Sequence, residues 1–575
     1  SFELSQRPCA RWRWGEPRGP ASSTMACLVE DAVCEGWSPA GPSDFPKSLN
    51  ERTLLSAGWL ADAGDLVAAP SSPLAALLVA VLVAEVLCQV LLWRRARRWR
   101  APLAYERGEF PAHNRPPERL LATFEEYMSR SPQHCLDLLS GWHFDADPAS
   151  LSRTDAENML AWAVYSRRPR QLESTEMKLV SESLTRIERK ASVRWAEEKP
   201  IATQRNDLGT PRFAAHTWDE DCSYHFFPLF AYVAVFLVHR VLDPIVLRLV
   251  GFKRGHAGGV SYWIRPASAA ATGSSASASK DQCRDWDALV WLHGLSVGRI
   301  FYLQFVLRFH WATVVLIDMP WVTFNPLTST APPVDTFCDG VAAALDAEGL
   351  RRVAVASHSY GSFALSWLLF SPCLRGRITR TAIISGPALG LFLPKTCRCV
   401  VYGKPFWFEH SLAHVFFRQF FWYQGFLAAV DLPRGSVVVL SANDEMIPTE
   451  EVIRDCGLQG VGCLVLPGLR HGFELFRPFT CVKVARYITE ALLRPAPAPA
   501  APPPLALPSL LSHCLVSATP RKGDDDDTSA PSTAGDEGSS GDEAGGCGCG
   551  AGGAPATPPS SSASTGGEED AHFAE

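Results

Sequence analysis

The sequence lacks the patterns that mark secreted, zinc-binding and nucleic-acid-binding proteins. None of its six asparagines begins an Asn-x-Ser/Thr glycosylation sequence, and its 17 cysteines stand at irregular spacings. The pairs Cys397-x-Cys399 and Cys547-x-Cys549 have no second half at zinc-site spacing, so the sequence predicts no metal site. These absences favour a reducing, cytosol-facing environment over secretion.

The sequence also has no concentrated positive charge, so we do not expect nucleic acid as a partner. The 575 residues carry a net charge of −6, but residues 496–575 alone carry −10, so the remainder is about +4. This last segment is rich in Pro, Ala, Gly and Ser and has too little apolar surface to offset chain entropy. We expect 496–575 to be a disordered acidic tail, and residues 1–70, which show no hydrophobic periodicity, to be disordered as well.

Long hydrophobic runs are scarce, and only residues 73–93 form one that is nearly uninterrupted. About 20 residues cross a bilayer core as a helix, and the many Leu and Val residues outweigh the ~2–3 kcal/mol cost of Glu85. Five arginines follow at once: Arg94, Arg95, Arg97, Arg98 and Arg100. A signal peptide has its basic cluster on the other side, so we predict a transmembrane helix. The positive-inside rule then predicts a single-pass membrane protein in which the part of the chain after the helix, with the α/β domain, lies in the cytosol.

A second apolar run, residues 226–252, is interrupted by polar and charged residues and by a proline. These are His239, Arg240, Asp243, Pro244 and Arg248, and they leave only about 13 apolar residues in a row. That length is too short to span a bilayer. We expect a helix that lies in the membrane surface or packs on the domain that follows. If this run crossed the membrane instead, that domain would face the lumen.

Residues 116–200, between the two runs, place apolar side chains at helical spacing. Leu120, Leu121 and Phe124 are one example, and Ser152 and Asp155 are suited to cap a helix. We predict a helical region that packs against its neighbours and carries no chemistry of its own.

From Val260 onward, short β-branched strands alternate with helices. The predicted strands are Val260–Ile264, Ala288–Leu292, Thr313–Ile317, Val353–Ala356, Ala382–Ile384, Ser436–Leu440 and Cys463–Leu466, and the predicted helices include Val334–Leu350 and Ser362–Phe370. Such alternation predicts an α/β fold over residues 260–495, in which helices cover both faces of a mostly parallel sheet. The Ala/Ser/Gly-rich segment 267–280 is an insertion in the first strand connection.

Residues 353–361 join an apolar strand to a sharp turn that presents a serine. In a nucleophile elbow, a strained strand–turn–helix junction holds one hydroxyl clear of the sheet, and small residues flank it where the backbones approach closely. Ser359 occupies the apex, Gly361 is the small residue after it, and Ser357 stands where glycine is usual. We therefore predict Ser359 to be a nucleophile.

The turn that should supply an oxyanion hole also follows a strand. His293 and Gly294 end an apolar strand, and a turn of this kind supplies one backbone donor while the residue after the nucleophile supplies the other. We assign these donors to the backbone N–H groups of Leu295 and Tyr360. His293 is expected to shape the turn rather than to act as a base.

An acid and a histidine complete the set, each just after a buried strand. The chain order Ser359, Asp444, His471 is the order expected for this architecture. In that arrangement His471 removes the serine proton and Asp444 orients the imidazole. Glu445 and Asp318 are alternative acids. His358 is nearer to the nucleophile in sequence, but we expect it to point to another side of the turn.

These motifs resemble those of the α/β-hydrolase superfamily over about residues 260–495. The resemblance is carried by Val290-Trp-Leu-His-Gly, Ala356-Ser-His-Ser-Tyr-Gly-Ser, Ser441-Ala-Asn-Asp-Glu-Met-Ile-Pro and Arg470-His-Gly. With the anchor and the helical region, the whole chain resembles the membrane-associated α/β-hydrolases of fungi and algae. The resemblance implies an α/β-hydrolase fold and a hydrolase activity.

Residues 387–435 stand between two predicted strands, at the usual position of a cap, and are dense in aromatic residues. Most of these rings should form the core of the cap, and some should line an apolar acyl pocket. The anchor and the aromatic cap favour a lipid-like ester as substrate and membrane lipid as partner. We predict a membrane-anchored serine hydrolase that needs no metal or organic cofactor. The alternatives are an acyltransferase and a non-catalytic scaffold on the same fold.

Overall fold

An eight-stranded, mostly parallel sheet organises the second half of the chain in the computed structural model. Its strands are β1 (Lys253–Ala257), β2 (Val260–Arg265), β3 (Ala288–Leu292), β4 (Thr313–Ile317), β5 (Val353–His358), β6 (Ile378–Ile384), β7 (Val437–Ser441) and β8 (Gly462–Leu466). They lie side by side in the order β1-β2-β4-β3-β5-β6-β7-β8. The pairs β1–β2 and β2–β4 are antiparallel, and all other neighbours are parallel.

Helices precede the sheet and connect its strands. They are α1 (Pro73–Arg98), α2 (Pro117–Met128), α3 (Pro132–Trp142), α4 (Arg153–Tyr165), α5 (Ser174–Ala191), α6 (Leu229–Leu249), α7 (Ile300–Val306), α8 (Val334–Ala347), α9 (Gly361–Phe370), α10 (Pro394–Cys397), α11 (His410–Arg418), α12 (Trp422–Gly425), α13 (Thr449–Leu458), α14 (Phe473–Phe476) and α15 (Pro478–Leu493). Short 3₁₀ turns join several of them.

The structure describes residues 72–98, 110–196, 213, 224–268, 285–325, 327, 330–403 and 409–495, all within the unit Ser1–Pro499. The segments 1–70 and 496–575, predicted to be disordered, lie outside the described residues. So do most of the predicted 267–280 insertion and residues 404–408 of the predicted cap.

All seven strands predicted from the sequence are present, and the sheet agrees with the α/β-hydrolase fold that the motifs imply. Strand β1 is additional. Its sequence, Lys-Arg-Gly-His-Ala, has no apolar stripe because the strand lies at the sheet edge, where its side chains are exposed or half-buried. Gly258 and Gly259, with φ of 54° and 79°, form the tight turn from β1 into β2.

The central strands are buried on both faces. In β3, Val290 and Leu292 belong to the core on one side of the sheet, while Leu289 and Trp291 belong to the core on the other. Successive side chains point to opposite faces, so a strand covered on both sides is apolar throughout rather than alternating. This burial fixes the strands whose C-terminal ends carry the predicted site residues.

The helical region α2–α5 and the cap share one core. The indole Nε1 of Trp142 donates to the carbonyl oxygen of Phe392 at 3.1 Å, and the hydroxyl of Tyr423 donates to the carbonyl oxygen of Pro111 at 2.6 Å. Buried side chains from both regions belong to the same hydrophobic cluster. The helical region is thus a packing partner of the cap.

Among the residues that the structure describes, two helices are long and apolar enough to cross a membrane, by length and composition: Pro73–Arg97 and Leu229–Leu249. The second lies in the run where the sequence predicts a helix, but it continues past the polar residues for 21 residues. A π-helical turn at Val238–Leu242 precedes Pro244. Such a turn accommodates a local break in the regular hydrogen-bond ladder, which a proline requires because it has no N–H to donate.

The two apolar helices contact each other through polar groups. Glu85 Oε2 accepts a hydrogen bond from the backbone N–H of Leu229 at 2.7 Å, and Gln89 Nε2 donates to the carbonyl oxygen of Phe227 at 3.0 Å. A carboxylate satisfies the free N–H groups of a helix N-terminus and complements its dipole. The acidic residue in the predicted anchor therefore holds the start of α6.

Candidate active site

Ser359 lies in the sharp turn between β5 and α9. Its φ is 49°, in the left-handed region, which costs a residue other than glycine of order 1–3 kcal/mol and often marks functional turns. Its N–H donates to the carbonyl oxygen of Ile384 at 3.0 Å, which ties the turn to β6. A Cβ at Gly361 would lie 2.2 Å from the carbonyl oxygen of Leu292. Only glycine allows α9 to begin this close to β3.

The structure brings the predicted serine, histidine and aspartate into one chain of hydrogen bonds. Ser359 Oγ lies 2.8 Å from His471 Nε2, and His471 Nδ1 lies 2.9 Å from Asp444 Oδ2. With its proton on Nδ1, the neutral ring donates to the aspartate and accepts from the serine hydroxyl. Ser359 and Asp444 are 6% and 3% exposed, so water competes little for these bonds.

Asp444 is positioned by its own turn and by the cap. Its Oδ1 accepts hydrogen bonds from the N–H groups of Met446 and Ile447, both at 2.9 Å, which leaves Oδ2 for His471. Lys395 of α10 donates through Nζ to the carbonyl oxygens of Asp444 at 2.8 Å and Ile447 at 3.0 Å. The same carboxylate thus caps a backbone turn and orients the imidazole.

The alternative acids contact other groups. Glu445 Oε2 accepts a hydrogen bond from the backbone N–H of His471 at 3.1 Å, not from its ring. Asp318 forms an ion pair with Arg299 at 2.7 Å. Asp444 is therefore the acid that the structure places against Nδ1 of the imidazole.

The pKa of His471 is raised. Burial acts to lower it, but the charge of Asp444 and its hydrogen bond, together with the charges of Glu474 and Glu445, outweigh the effect of burial. These acids stabilise the protonated ring, which is the form that a general base adopts after accepting a proton.

His293 takes part in the turn rather than in proton transfer. Its Nε2 accepts a hydrogen bond from the N–H of Met319 at 3.1 Å, and its Nδ1 donates to the carbonyl oxygen of Gly294 at 2.9 Å. Burial lowers the pKa of His293 to about 4, so the ring is neutral near pH 7. Both ring nitrogens are used to hold backbone.

The predicted oxyanion donors flank the serine. A Cβ at Gly294 would lie 2.8 Å from Cβ of Ser359, so the loop that carries Leu295 approaches the nucleophile as closely as a glycine permits. Tyr360 directly follows Ser359 and is buried. The two backbone N–H groups thus belong to residues on two sides of the serine.

A buried acid, Glu474, lies behind the elbow, and the sequence did not predict it as a site residue. Glu474 of α14 accepts hydrogen bonds from the hydroxyls of Ser385 and Ser441, and its Oε2 lies 3.8 Å from His358 Nε2. Burial acts to raise the pKa of Glu474, but His358, His471 and Ser385 outweigh it and lower the pKa to about 2. The signal in the sequence is slight: one acidic residue among the aromatic and aliphatic residues that follow His471.

Tyr302 links this buried acid to the oxyanion turn. Its hydroxyl accepts a hydrogen bond from the N–H of Gly294 at 3.2 Å and lies 3.2 Å from Nδ1 of His358. Burial lowers the pKa of His358. The histidine beside the nucleophile therefore contacts Tyr302 and Glu474, and its role is to support the turn.

Aromatic residues of the cap pack on the helix that starts at the nucleophile. The Phe416 ring meets Tyr360 edge-on with ring centres 5.6 Å apart, and Phe420 lies 4.7 Å from Phe363. In the described part of the chain, no group of three His, Cys, Asp or Glu side chains is arranged to hold a metal ion.

No protein-family model matches the chain, and a search of curated proteins found no match. The chain is similar to the solved structure of carboxylesterase CesB from Bacillus subtilis, at 11% identity over 46% of this chain and 97% of that one, with a TM-score of 0.30. A membrane phospholipase A described as a bacterial virulence factor matches at 13% identity over 46% and 96%, with a TM-score of 0.30. Naproxen esterase from Bacillus subtilis matches at 13% identity over 45% and 97%, with a TM-score of 0.29. These TM-scores are low, so the fold assignment rests on the strand order of this chain.

Proposed function

We propose that this chain is a membrane-anchored serine hydrolase of the α/β-hydrolase superfamily that cleaves a lipid-like carboxylic ester. The observation that carries the proposal is the hydrogen-bonded chain from Ser359 through His471 to Asp444, with the serine in a strained turn after β5. A nucleophile bonded to a base that is oriented by a third group is the arrangement that activates a hydroxyl.

In the first half of the reaction, Ser359 Oγ attacks the ester carbonyl carbon while His471 Nε2 takes up the hydroxyl proton. The carbonyl oxygen becomes an oxyanion, which receives hydrogen bonds from the N–H groups of Leu295 and Tyr360. When the carbon–oxygen bond to the alcohol breaks, the protonated His471 donates its proton to the leaving oxygen. The alcohol departs, and the acyl group stays on the serine as an ester.

The second half repeats these steps with water as the nucleophile. His471 takes a proton from water, whose oxygen attacks the acyl carbon of the acyl-enzyme, and the same two N–H groups receive the oxyanion. Collapse of this intermediate returns the proton to Ser359 Oγ and releases the carboxylic acid. Asp444 accepts the hydrogen bond from Nδ1 and stabilises the imidazolium in both halves.

The proposed substrate class follows from what surrounds the serine. Aromatic residues of the cap pack against Tyr360 and α9, and apolar walls of this kind suit an acyl chain. A transmembrane α1, with its arginines in the cytosol, would keep the enzyme at its lipid substrate. This arrangement accords with the resemblance to membrane-associated α/β-hydrolases of fungi and algae.

A fluorophosphonate probe combined with an ester series tests the proposal on the full chain in detergent micelles. We expect the wild type to be labelled and to hydrolyse p-nitrophenyl esters, and we expect the Ser359→Ala variant to do neither. Ser362→Ala, three residues on in α9, is the control and should be labelled. A wild type that is not labelled would favour a non-catalytic scaffold. Labelling with product release only in the presence of an added alcohol or thiol would favour an acyltransferase.

A further inference from the structure

The helix α6 has one face turned to the protein and an apolar face turned away from it. Residues at helical spacing on the inner face are buried: Tyr232, Val235, His239, Asp243 and Leu247. The other face carries Phe230, Val233, Leu237, Val241, Ile245 and Leu249, which are between 46% and 79% exposed. An exposed apolar stripe of this length is typical of a surface that contacts lipid or an apolar protein partner.

The inner face of α6 is fixed to the hydrolase domain at both ends. Near the start, the hydroxyl of Tyr232 donates to Glu409 Oε1 at 2.6 Å. Near the end, Asp243 accepts hydrogen bonds from the N–H groups of Arg299 at 2.8 Å and Ile300 at 2.9 Å, and Leu247 is fully buried. A helix held along its length by the hydrolase domain crosses a bilayer only if that domain enters it. These contacts argue against α6 as a second crossing.

The exposed stripe continues to the catalytic histidine. Phe301 follows the Ile300 that binds Asp243, is 42% exposed, and its ring lies 6.5 Å from that of Phe476. Phe476 and Phe479 are 42% and 92% exposed, and their segment begins two residues after His471. We use "apolar face" for the α6 stripe together with Phe301, Phe473, Phe476, Phe479 and Val482.

The charges on the same segments favour one kind of partner. Within residues 229–265, 296–311 and 470–489 the only acidic residues are Asp243 and Glu474, and both are fully buried. The exposed basic residues there include Arg240, Arg248, Arg254, Arg308, Arg477 and Lys483. On α15 the one exposed acid, Glu490, is paired with Arg486 at 2.8 Å. Apolar side chains bordered by a surplus of basic ones are complementary to a bilayer that contains anionic lipid.

The apolar face is also continuous with the predicted anchor. Glu85 and Gln89 of α1 bind the backbone at Leu229 and Phe227, so the start of α6 lies against a helix that would stand in the bilayer. Glu85 lies near the middle of the predicted span 73–93, so a membrane that holds α1 reaches the start of the apolar face.

We propose that the apolar face is embedded in one leaflet of an anionic bilayer, deepest at the start of α6, and turns the entrance of the Ser359 site toward it, so that the ester reaches the serine directly from the lipid phase. The second part of this proposal rests on the proposed function, whereas the contact with lipid does not.

The contact is tested by photo-crosslinking, which needs no catalysis. The full chain is reconstituted in phosphatidylcholine/phosphatidylserine vesicles that contain a lipid with a diazirine on its acyl chain, and the labelled residues are mapped by mass spectrometry. We expect labels on the exposed stripe of α6 and on residues 473–482, besides those on α1. Labels confined to α1 would overturn the proposal. Labels on the inner face of α6, at Tyr232 or Leu247, would show a second crossing and overturn it too.

Aspartate substitutions on the apolar face test whether the ester reaches the serine from the lipid phase. Leu249→Asp and Phe479→Asp should lower hydrolysis of a long-chain ester in these vesicles by about tenfold or more, because a carboxylate opposes insertion into lipid. Hydrolysis of a short-chain, water-soluble ester should stay within twofold of wild type. Leu458→Asp, on α13 and 66% exposed, is the control and should leave both rates unchanged.

The outcomes separate the two proposals. Equal losses on both esters, or an equal loss in Leu458→Asp, would overturn the delivery role. If the wild type hydrolyses neither ester, the proposed function fails, and the crosslinking result still decides whether the apolar face meets lipid.

Discussion

Glu445 accepts a hydrogen bond from the backbone N–H of His471 at 3.1 Å, so a second carboxylate stands beside the imidazole that Asp444 orients. Its negative charge contributes to the raised pKa of His471. The protonated ring cannot accept the serine proton, so activity should appear only as pH rises through this pKa.

Glu445→Gln should therefore shift the acid limb of the pH dependence of kcat/KM toward lower pH. The amide oxygen can still accept the backbone bond, so only the charge is lost, and the plateau at high pH should be preserved. The pH profile is measured with a water-soluble ester. Glu450→Gln, an exposed acid on α13, should leave the limb where it is in the wild type. A Glu445→Gln limb at the wild-type position would show that this charge does not act on the base.

Asp444→Asn should reduce kcat by about 10³–10⁴-fold, because the amide neither stabilises the imidazolium nor fixes its tautomer. The acid limb of any residual activity should also fall, since the main charge that raises the pKa of His471 is gone. The single-turnover rates of the wild type, Asp444→Asn and Glu445→Gln are compared at high pH. If Glu445→Gln lost as much activity there as Asp444→Asn, the assignment of the acid would be wrong.

Replacing Glu474 should show how much its carboxylate contributes to the stability of the elbow. Glu474→Leu leaves the buried hydroxyl of Ser385 without its acceptor, whereas Ser441 keeps the carbonyl oxygen of Arg470 at 3.2 Å; an unsatisfied buried group costs about 1–3 kcal/mol. Glu474→Gln keeps an acceptor and should be less destabilising. Thermal unfolding in micelles measures both. If the two variants unfold at the wild-type temperature, the carboxylate does not support the turn.

Gly361→Ala should destabilise the fold by about 1–3 kcal/mol or prevent folding, because overpacking forces the backbone to move. The added Cβ would lie 2.2 Å from a backbone oxygen of β3, which has no room to shift. Gly457→Ala is the matched control: it lies in α13 with nothing within 4 Å of the added Cβ. That change should stabilise the helix by up to about 1 kcal/mol. A Gly361→Ala protein as stable as the wild type would contradict the predicted close approach.

Much of the fold could be predicted because the central strands are buried on both faces. Residues such as those of β3 and β5 are apolar without interruption, and strands of this kind are visible in a sequence. The edge strand β1 was missed because only one of its faces meets the protein. A helix within residues 226–252 could be predicted, but its unbroken course past Pro244 could not, because the sequence does not show the π-helical turn that accommodates the proline.

The three residues of the hydrogen-bonded chain could be predicted from their order in the sequence. Ser359, Asp444 and His471 each follow a strand, so their positions were apparent without knowledge of contacts. Glu474 and Tyr302 were not, because their roles depend on side-chain contacts with other segments of the chain, such as Tyr302 with His358 and Glu474 with Ser385. Such contacts exist only once the sheet has assembled.

The bonds between the cap and its neighbours determine how a substrate gains access. Trp142 of the helical region donates to Phe392 of the cap, and Tyr423 of the cap donates to Pro111, which precedes that region. Lys395 ties the cap to the turn of Asp444. A lid that swings open as a rigid body would have to break both sets of bonds at once and would displace the acid beside His471. We therefore expect the cap to be a fixed wall, so that access to the serine does not depend on a hinge motion of the whole cap.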